Sequence, residues 1–141
     1  MTRIRQPLGP RVLPQLTDTN RSFWTGGAEG QLLVSRCGSC ERWILPPLDE
    51  CPACGGRTTS QPVSGRGRVF TWTVNYQKFH PGVDPPNLIA IVVLDEQADL
   101  RVATNLVDVE VDQVRADLPV RVEFEEHGPI FYPVFVPEGE H

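Results

Sequence analysis

All four cysteines of this 141-residue chain fall within one short stretch, as Cys37-Gly-Ser-Cys40 and Cys51-Pro-Ala-Cys54. Two thiols three residues apart converge on one point only where the chain between them turns sharply. Gly38 and Ser39 suit the first turn, Pro52 and Ala53 the second. Two such knuckles, separated by ten residues, assemble the donor set of a tetrahedral zinc shell from Cys37, Cys40, Cys51 and Cys54. Four thiolates fill that shell and leave no position for water, so one structural Zn2+ is expected. Other readings fit less well. A disulfide pair expects an oxidising compartment, and a thioredoxin-like site has a single C-x-x-C at a helix start. An iron centre with four cysteines shares the geometry and stays open. The large apolar residues nearby (Leu33, Val34, Trp43, Ile44, Leu45 and Leu48) are too few to stabilise the segment by burial. Its folding should be coupled to the metal, which supplies on the order of 10 kcal/mol in comparable modules.

The chain on either side reads as mainly β. Residues 1–16, with Pro7, Pro10 and Pro14, read as an extended arm or linker. A short helix and turn are expected over 17–30, with N-cap candidates in Thr17-Asp-Thr-Asn20 and a halt at Gly26-Gly27. The cysteine ribbon occupies 31–62, its first hairpin built from Gln31–Arg36 and Trp43–Leu45. Within 63–137 five strand signals follow. Val69–Tyr76 alternates, with Phe70, Trp72, Val74 and Tyr76 on one face. After a Pro-rich loop over Gln77–Asn87, Leu88–Leu94 is continuously apolar, the pattern of a strand buried on both faces. Leu100–Leu106 and Val120–Phe124 follow, with at most a helical turn over 112–117 between them. Ile130–Val136 surrounds Pro133, which predicts an edge strand. The last residues, 138–141, form a tail. The expected fold is a short N-terminal helix, a rubredoxin-like four-cysteine zinc ribbon, then a five-stranded OB-fold barrel.

Charge narrows the function. The net charge is -5, which argues against a general phosphate-backbone binder. Residues 1–80 hold 10 Lys+Arg against 5 Asp+Glu, and residues 81–141 hold 3 against 13. This asymmetry either orients a partner or phosphorylated ligand toward the front half or reflects solvated faces of unequal sign. The cluster Glu123-Phe-Glu125-Glu126 reads as a solvated strand end. No run of 18 apolar residues exists, and the first residues lack a signal-peptide core, so a cytoplasmic protein is expected. No nucleophile elbow, P-loop or dinucleotide fingerprint occurs. His80, His127 and His141 are scattered, and His80 reads as a loop or interface histidine. An OB-fold with Phe70, Trp72 and Tyr76 beside Arg66 and Arg68 also suggests a single-stranded nucleic-acid module, which the acidic barrel half opposes.

Several motifs occur together: Phe23-Trp24, Gly30-x-Leu32, the two knuckles, Pro46-Pro47, Ser64-Gly65-x-Gly67-x-Val69 and Leu94-Asp95-Glu96. In this order, over roughly residues 17–137, they resemble the family of zinc-ribbon plus OB-fold proteins associated with acyl-CoA enzymes. The resemblance implies a non-catalytic subunit that binds a thiolase-superfamily enzyme. The Pro-rich leader is similar to that of partners of lipid-transfer-protein-type aldolases, which act on steroid acyl-CoA side chains. Partnership with a thiolase or synthase, or with a hot-dog hydratase, is the alternative. On this reading Phe23, Trp24, Trp43, Phe131, Tyr132 and Phe135 are interface candidates. Arg36, Arg42, Arg57, Arg66 and Arg68 would steer coenzyme A phosphates toward a shared acyl-CoA site. The chain departs from the family in placing Leu48 where an arginine is common, and Ala116-Asp-Leu-Pro119 where a glycine is usual.

Overall fold

Val69, Val92, Val120, Phe124 and Phe135 are withdrawn completely from solvent and mark the centre of a closed barrel. Burial of each such side chain contributes about 1.5–3 kcal/mol. The computed structural model describes residues 2–7, 11–76 and 87–138. Residues 77–86 of the expected loop Gln77–Asn87, with His80, and the terminal His141 lie outside them, and Asn87 opens a strand. The strands are β1 (Ile4–Arg5), β2 (Leu32–Cys37), β3 (Trp43–Ile44), β4 (Thr58–Val63), β5 (Arg66–Asn75), β6 (Asn87–Leu94), β7 (Arg101–Leu106), β8 (Pro119–His127) and β9 (Ile130–Pro137). The helix α1 (Arg21–Thr25) continues into a 3-10 turn, Gly26–Glu29, and a second 3-10 turn covers Val111–Gln113.

Strands β5 to β9 form the OB-fold barrel. β5, β6 and β7 are an antiparallel meander, β8 and β9 a hairpin, and Arg66–Arg68 of β5 pair with β8. The parallel match of Leu106 with Phe135 closes the ring between β7 and β9. All five expected barrel strands are present. The ribbon is a separate sheet in the order β3-β2-β4.

Three expectations are corrected. β9 is no edge strand, because β8 lies along one side and β7 meets the other. Backbone pairing with β7 is confined to Phe135, so Pro133 interrupts no ladder there, and the Thr104 hydroxyl donates to its carbonyl at 3.3 Å. β6 is buried on one face only: Leu88, Ala90, Val92 and Leu94 are inside, whereas Ile89 is exposed. A bulge between Val69 and Thr71 shifts the β5 register, so Phe70 does not share a face with Trp72. As expected, the double glycine halts the helix, which ends at Thr25 with Gly26 as its C-cap. The pair turns the chain into the 3-10 segment, and a Cβ on Gly27 would lie 2.5 Å from the Phe131 Cβ. Only glycine lets that turn pack so closely on β9.

The N-terminal arm docks on the barrel. β1 pairs in parallel with β8 at Phe124 and Glu125, beyond the point where β5 leaves β8. The N-terminal residues thus cover an edge that the bulged β5 leaves open.

Candidate metal centre and interaction surfaces

The two knuckles are built alike. Each places a residue in the left-handed region just after its second cysteine, Glu41 at φ 67° and Gly55 at φ 79°. In each, that residue's N–H closes the turn onto the carbonyl of the first cysteine, Glu41 to Cys37 at 3.0 Å and Gly55 to Cys51 at 2.8 Å. The four sulfurs consequently lie within 4.8 Å of one another. Cys37 and Cys54 are 3.4 Å apart and Cys40 and Cys51 3.7 Å, far beyond a covalent sulfur–sulfur bond. Zn–S bonds of about 2.3 Å in a tetrahedron require sulfur edges of about 3.8 Å, so the donor set fits such an ion. Gly56 closes the cradle: a Cβ there would meet the Cys37 sulfur at 2.8 Å.

Electrostatics at the centre favour thiolate. The N–H groups of Cys40 and Ser39 point at the Cys37 sulfur at 3.4 and 3.3 Å and lower its pKa to about 6. At Cys51 burial opposes ionisation, but the N–H groups of Cys54 and Ala53 outweigh it and the pKa falls. At Cys54 the Gly56 N–H lowers the pKa, yet the adjoining Cys37 and Cys40 sulfurs overcome it and push it up to about 12. Four crowded sulfurs therefore do not all ionise on their own. A dication at their centre removes that conflict, and with four thiolates bound it offers no open position for substrate or water.

The ribbon is stitched to the barrel at the β6–β7 turn. Gln97 accepts from the Trp43 N–H and donates to the Trp43 carbonyl, both at 2.9 Å, and Arg42 pairs with Asp99. Beside this junction, a cleft of about 540 Å³ opens between α1, the Leu45–Pro47 segment and the barrel, with Trp24, Tyr132, Arg101 and Ala103 among its walls.

The interface candidates separate on burial. Phe23, Trp43, Phe131 and Phe135 belong to this chain's own core, while Trp24 and Tyr132 are half-buried at the cleft, their ring centroids 5.3 Å apart. The five arginine candidates do not converge. Arg36 lies over Trp43, Arg42 holds Asp99, Arg66 pairs with Glu138 and Arg68 donates to the Asp117 carbonyl. Arg57 is exposed, and none of the five lines the cleft, whose cation is Arg101.

The sequence reading missed a second polar site. Glu123 and Glu125 are buried, not solvated. Arg5 reaches Glu123 at 2.9 Å and Asp108 at 3.1 Å; Arg11 binds Glu125 at 2.6 Å and lies over the Tyr132 ring. His127 adds a contact to Glu125 at 3.2 Å. Burial pushes the Glu125 carboxyl up, but the hydrogen bond and charge of Arg11 outweigh it, so its pKa lies below the ordinary value. Burial likewise works against the Arg5 charge, and Asp108 and Glu123 overcome it. A signal was available: Glu123 and Glu125 stand two apart on a strand, and the arm carries Arg3, Arg5 and Arg11 without a carboxylate.

Comparison with known proteins agrees with this architecture. Residues 24–60 match the ChsH2 rubredoxin-like zinc ribbon domain and residues 60–125 the ChsH2 C-terminal OB-fold domain. A DUF35 domain-containing scaffold protein of Pyrococcus furiosus is 30% identical over 127 residues, covering 78% of this chain and 85% of that protein. A probable enoyl-CoA hydratase alpha subunit of Thermomonospora curvata is 29% identical over 135 residues, covering 94% of this chain. The match spans only 42% of the length of that relative. Among solved structures, a chain of the Ltp2-ChsH2(DUF35) aldolase superposes with TM-score 0.76 at 30% identity, covering 89% of this chain and 98% of that one. Among the described residues no helix is long and apolar enough to cross a membrane. With both domains matched in order and a scaffold relative aligned over most of its length, the chain belongs to the ChsH2 (DUF35) family.

Proposed function

We propose that this chain is the non-catalytic partner of a thiolase-superfamily, lipid-transfer-protein-type aldolase acting on an acyl-CoA in steroid side-chain degradation. The observation that carries the reading is the near-complete superposition on the chain from the Ltp2-ChsH2(DUF35) aldolase. The sulfur centre supports it, because a saturated four-thiolate shell braces a fold and activates nothing. Its resident ion on this reading is one structural Zn2+ held by Cys37, Cys40, Cys51 and Cys54. Trp24 and Tyr132 are the candidate aromatics that present surface for a partner or an acyl-CoA. Of the five steering arginines, Arg36, Arg57 and Arg68 have no carboxylate partner among the described residues; Arg36 lies over Trp43, which leaves Arg57 and Arg68 as the candidates for coenzyme A phosphates.

Coexpression with an Ltp2-type aldolase subunit tests the proposal. The two chains should co-elute as a stable assembly, and aldol cleavage should depend on both. An aldolase that is monodisperse and fully active alone would end it. The alignment with the Thermomonospora curvata hydratase subunit supports a second reading, a module of an enoyl-CoA hydratase complex. Co-elution with hydratase subunits in place of the aldolase would select it.

A further inference from the structure

The outer face of the β5–β6–β7 sheet departs from the usual pattern of an antiparallel sheet, in which the side away from the core is polar. Thr71 pairs with Ile91 and Thr73 with Ile89; Ile91 pairs with Ala103 and Val93 with Arg101. These residues share the face opposite the buried Ala90, Val92 and Leu94. The bulge adds Phe70, whose ring lies 4.3 Å from the Arg101 guanidinium. The face thus carries Phe70, Ile89, Ile91, Val93 and Ala103 beside two cations, Arg101 and Arg68, each of which pairs with Val93. Phe70 is 51% exposed and Ile89 42%. It runs without a break into the cleft, which shares Arg101 and Ala103. Contiguous exposed apolar surface of this kind marks an interaction site.

We infer that this face docks the enzyme subunit of the proposed complex, through an apolar surface of that subunit bearing a carboxylate opposite Arg101. The inference rests on the partner-subunit reading. Charge selects the occupant. The chain holds 18 Asp+Glu against 13 Lys+Arg, yet residues 64–76 and 87–94 contain no carboxylate. A second copy of this chain would bring a face of one sign, and no counter-charge, against itself across a two-fold axis. Single-stranded nucleic acid needs stacking surfaces and a track of free cations. Ile89, Ile91 and Val93 offer no stacking, and the cations form no track: Arg101 lies on Phe70, Arg66 pairs with Glu138 and Arg68 donates to the Asp117 carbonyl. From Phe70 to Val74, β5 pairs with no described strand on the side away from β6, an edge that suits strand pairing by a protein partner.

The test uses the full chain coexpressed with the Ltp2-type aldolase subunit. Phe70→Asp, Ile89→Asp and Arg101→Glu should each weaken assembly at least tenfold while leaving metal content and thermal unfolding of the isolated chain unchanged. Val12→Asp, on the exposed arm, should assemble as the parent does. Amide exchange in the parent complex should show protection over β5–β7, a readout that does not depend on any variant folding. Assembly with protection elsewhere, or assembly unmoved by the three substitutions, would overturn this inference and leave the partner-subunit reading standing. No assembly by the parent chain would overturn both. Self-association, or salt-sensitive oligonucleotide binding, abolished by the same substitutions would assign the face to another occupant and overturn the inference as stated.

Discussion

Two parts of this molecule are too small to hold their own shape, and they are secured in opposite ways. The ribbon is fixed from within, by four sulfurs drawn from two turns of a single short segment. The arm is fixed from outside, by arginines that reach carboxylates more than a hundred residues away on β8. The first device is local in sequence and needs an ion. The second is remote in sequence and needs a finished barrel. The ribbon can therefore fail while the barrel stands, and the arm can detach while the ribbon stands, but the arm cannot dock on an unfolded barrel.

The sharpest way to break this comparison is to remove the metal. Strong chelation, or Cys51→Ser, should unfold β2–β4, a loss on the order of 10 kcal/mol of coupled binding and folding. Amide exchange should accelerate in the ribbon while β6 and β8 stay protected. Unchanged protection of the ribbon in chelator would show that burial alone supports it.

The arm predicts the next largest effect. Arg11→Ala leaves the Glu125 carboxylate, which has no exposed surface, with His127 as its remaining side-chain partner among the described residues, and should cost about 3 kcal/mol. Adding Glu125→Gln should recover much of that loss, because the uncompensated charge is then gone. Arg5→Ala should cost less, since Glu123 keeps Arg121 at 3.1 Å. Equal losses from the two single substitutions, measured by denaturant unfolding, would contradict this ordering.

What the sequence disclosed follows the same division. The sulfur centre was legible because its geometry is encoded in spacing over a few residues, and the five barrel strands because alternation is local. The arm's docking was not, since nothing near Arg5 or Arg11 names Glu123 or Glu125 as partners; only the sign asymmetry between the two halves hinted at it. Part of that asymmetry is consumed inside the chain. Apolar character also misled where topology decides. Phe131 and Phe135 read as an exposed edge, yet β9 closes the barrel. The uninterrupted run of β6 read as fully buried, yet its outer face is open. The bulge that turns Phe70 outward leaves no trace in the alternation of β5.

Acid should separate arm from barrel through the same carboxylates. The Glu125 and Asp108 pKa values are depressed in the folded chain, chiefly by Arg11 and Arg5, against the opposing effect of burial. A depressed carboxyl stabilises the fold fully above its unfolded value, near 4.5 for Glu125 and 3.8 for Asp108. That stabilisation is lost as pH falls from those values through the lower folded ones. Arm protection should therefore persist at pH 6 and decline below about pH 4.5. In Arg11→Ala that acid-linked loss should shrink or reverse, because burial then raises the folded Glu125 pKa toward or above its unfolded value and protonation relieves a buried charge. A pH profile of the arm identical in the parent and the variant would remove Arg11 as the cause.

The smallest effect sharpens the symmetry of the two knuckles. Glu41 and Gly55 occupy equivalent left-handed positions, but only one of them is glycine. A side chain in that region costs about 1–2 kcal/mol, partly offset by the greater chain entropy that glycine brings to the unfolded state. The Arg36 side chain binds the Glu41 carbonyl, a backbone group that substitution leaves in place. Glu41→Gly should therefore stabilise the ribbon by about 0.5–1 kcal/mol and tighten metal retention about two- to fivefold in chelator competition. Gly55→Glu should loosen it by a similar factor. If Glu41→Gly instead weakened retention, the Glu41 side chain would be holding the knuckle by a contact that outweighs its backbone strain, and the two turns would be alike in shape but not in what stabilises them.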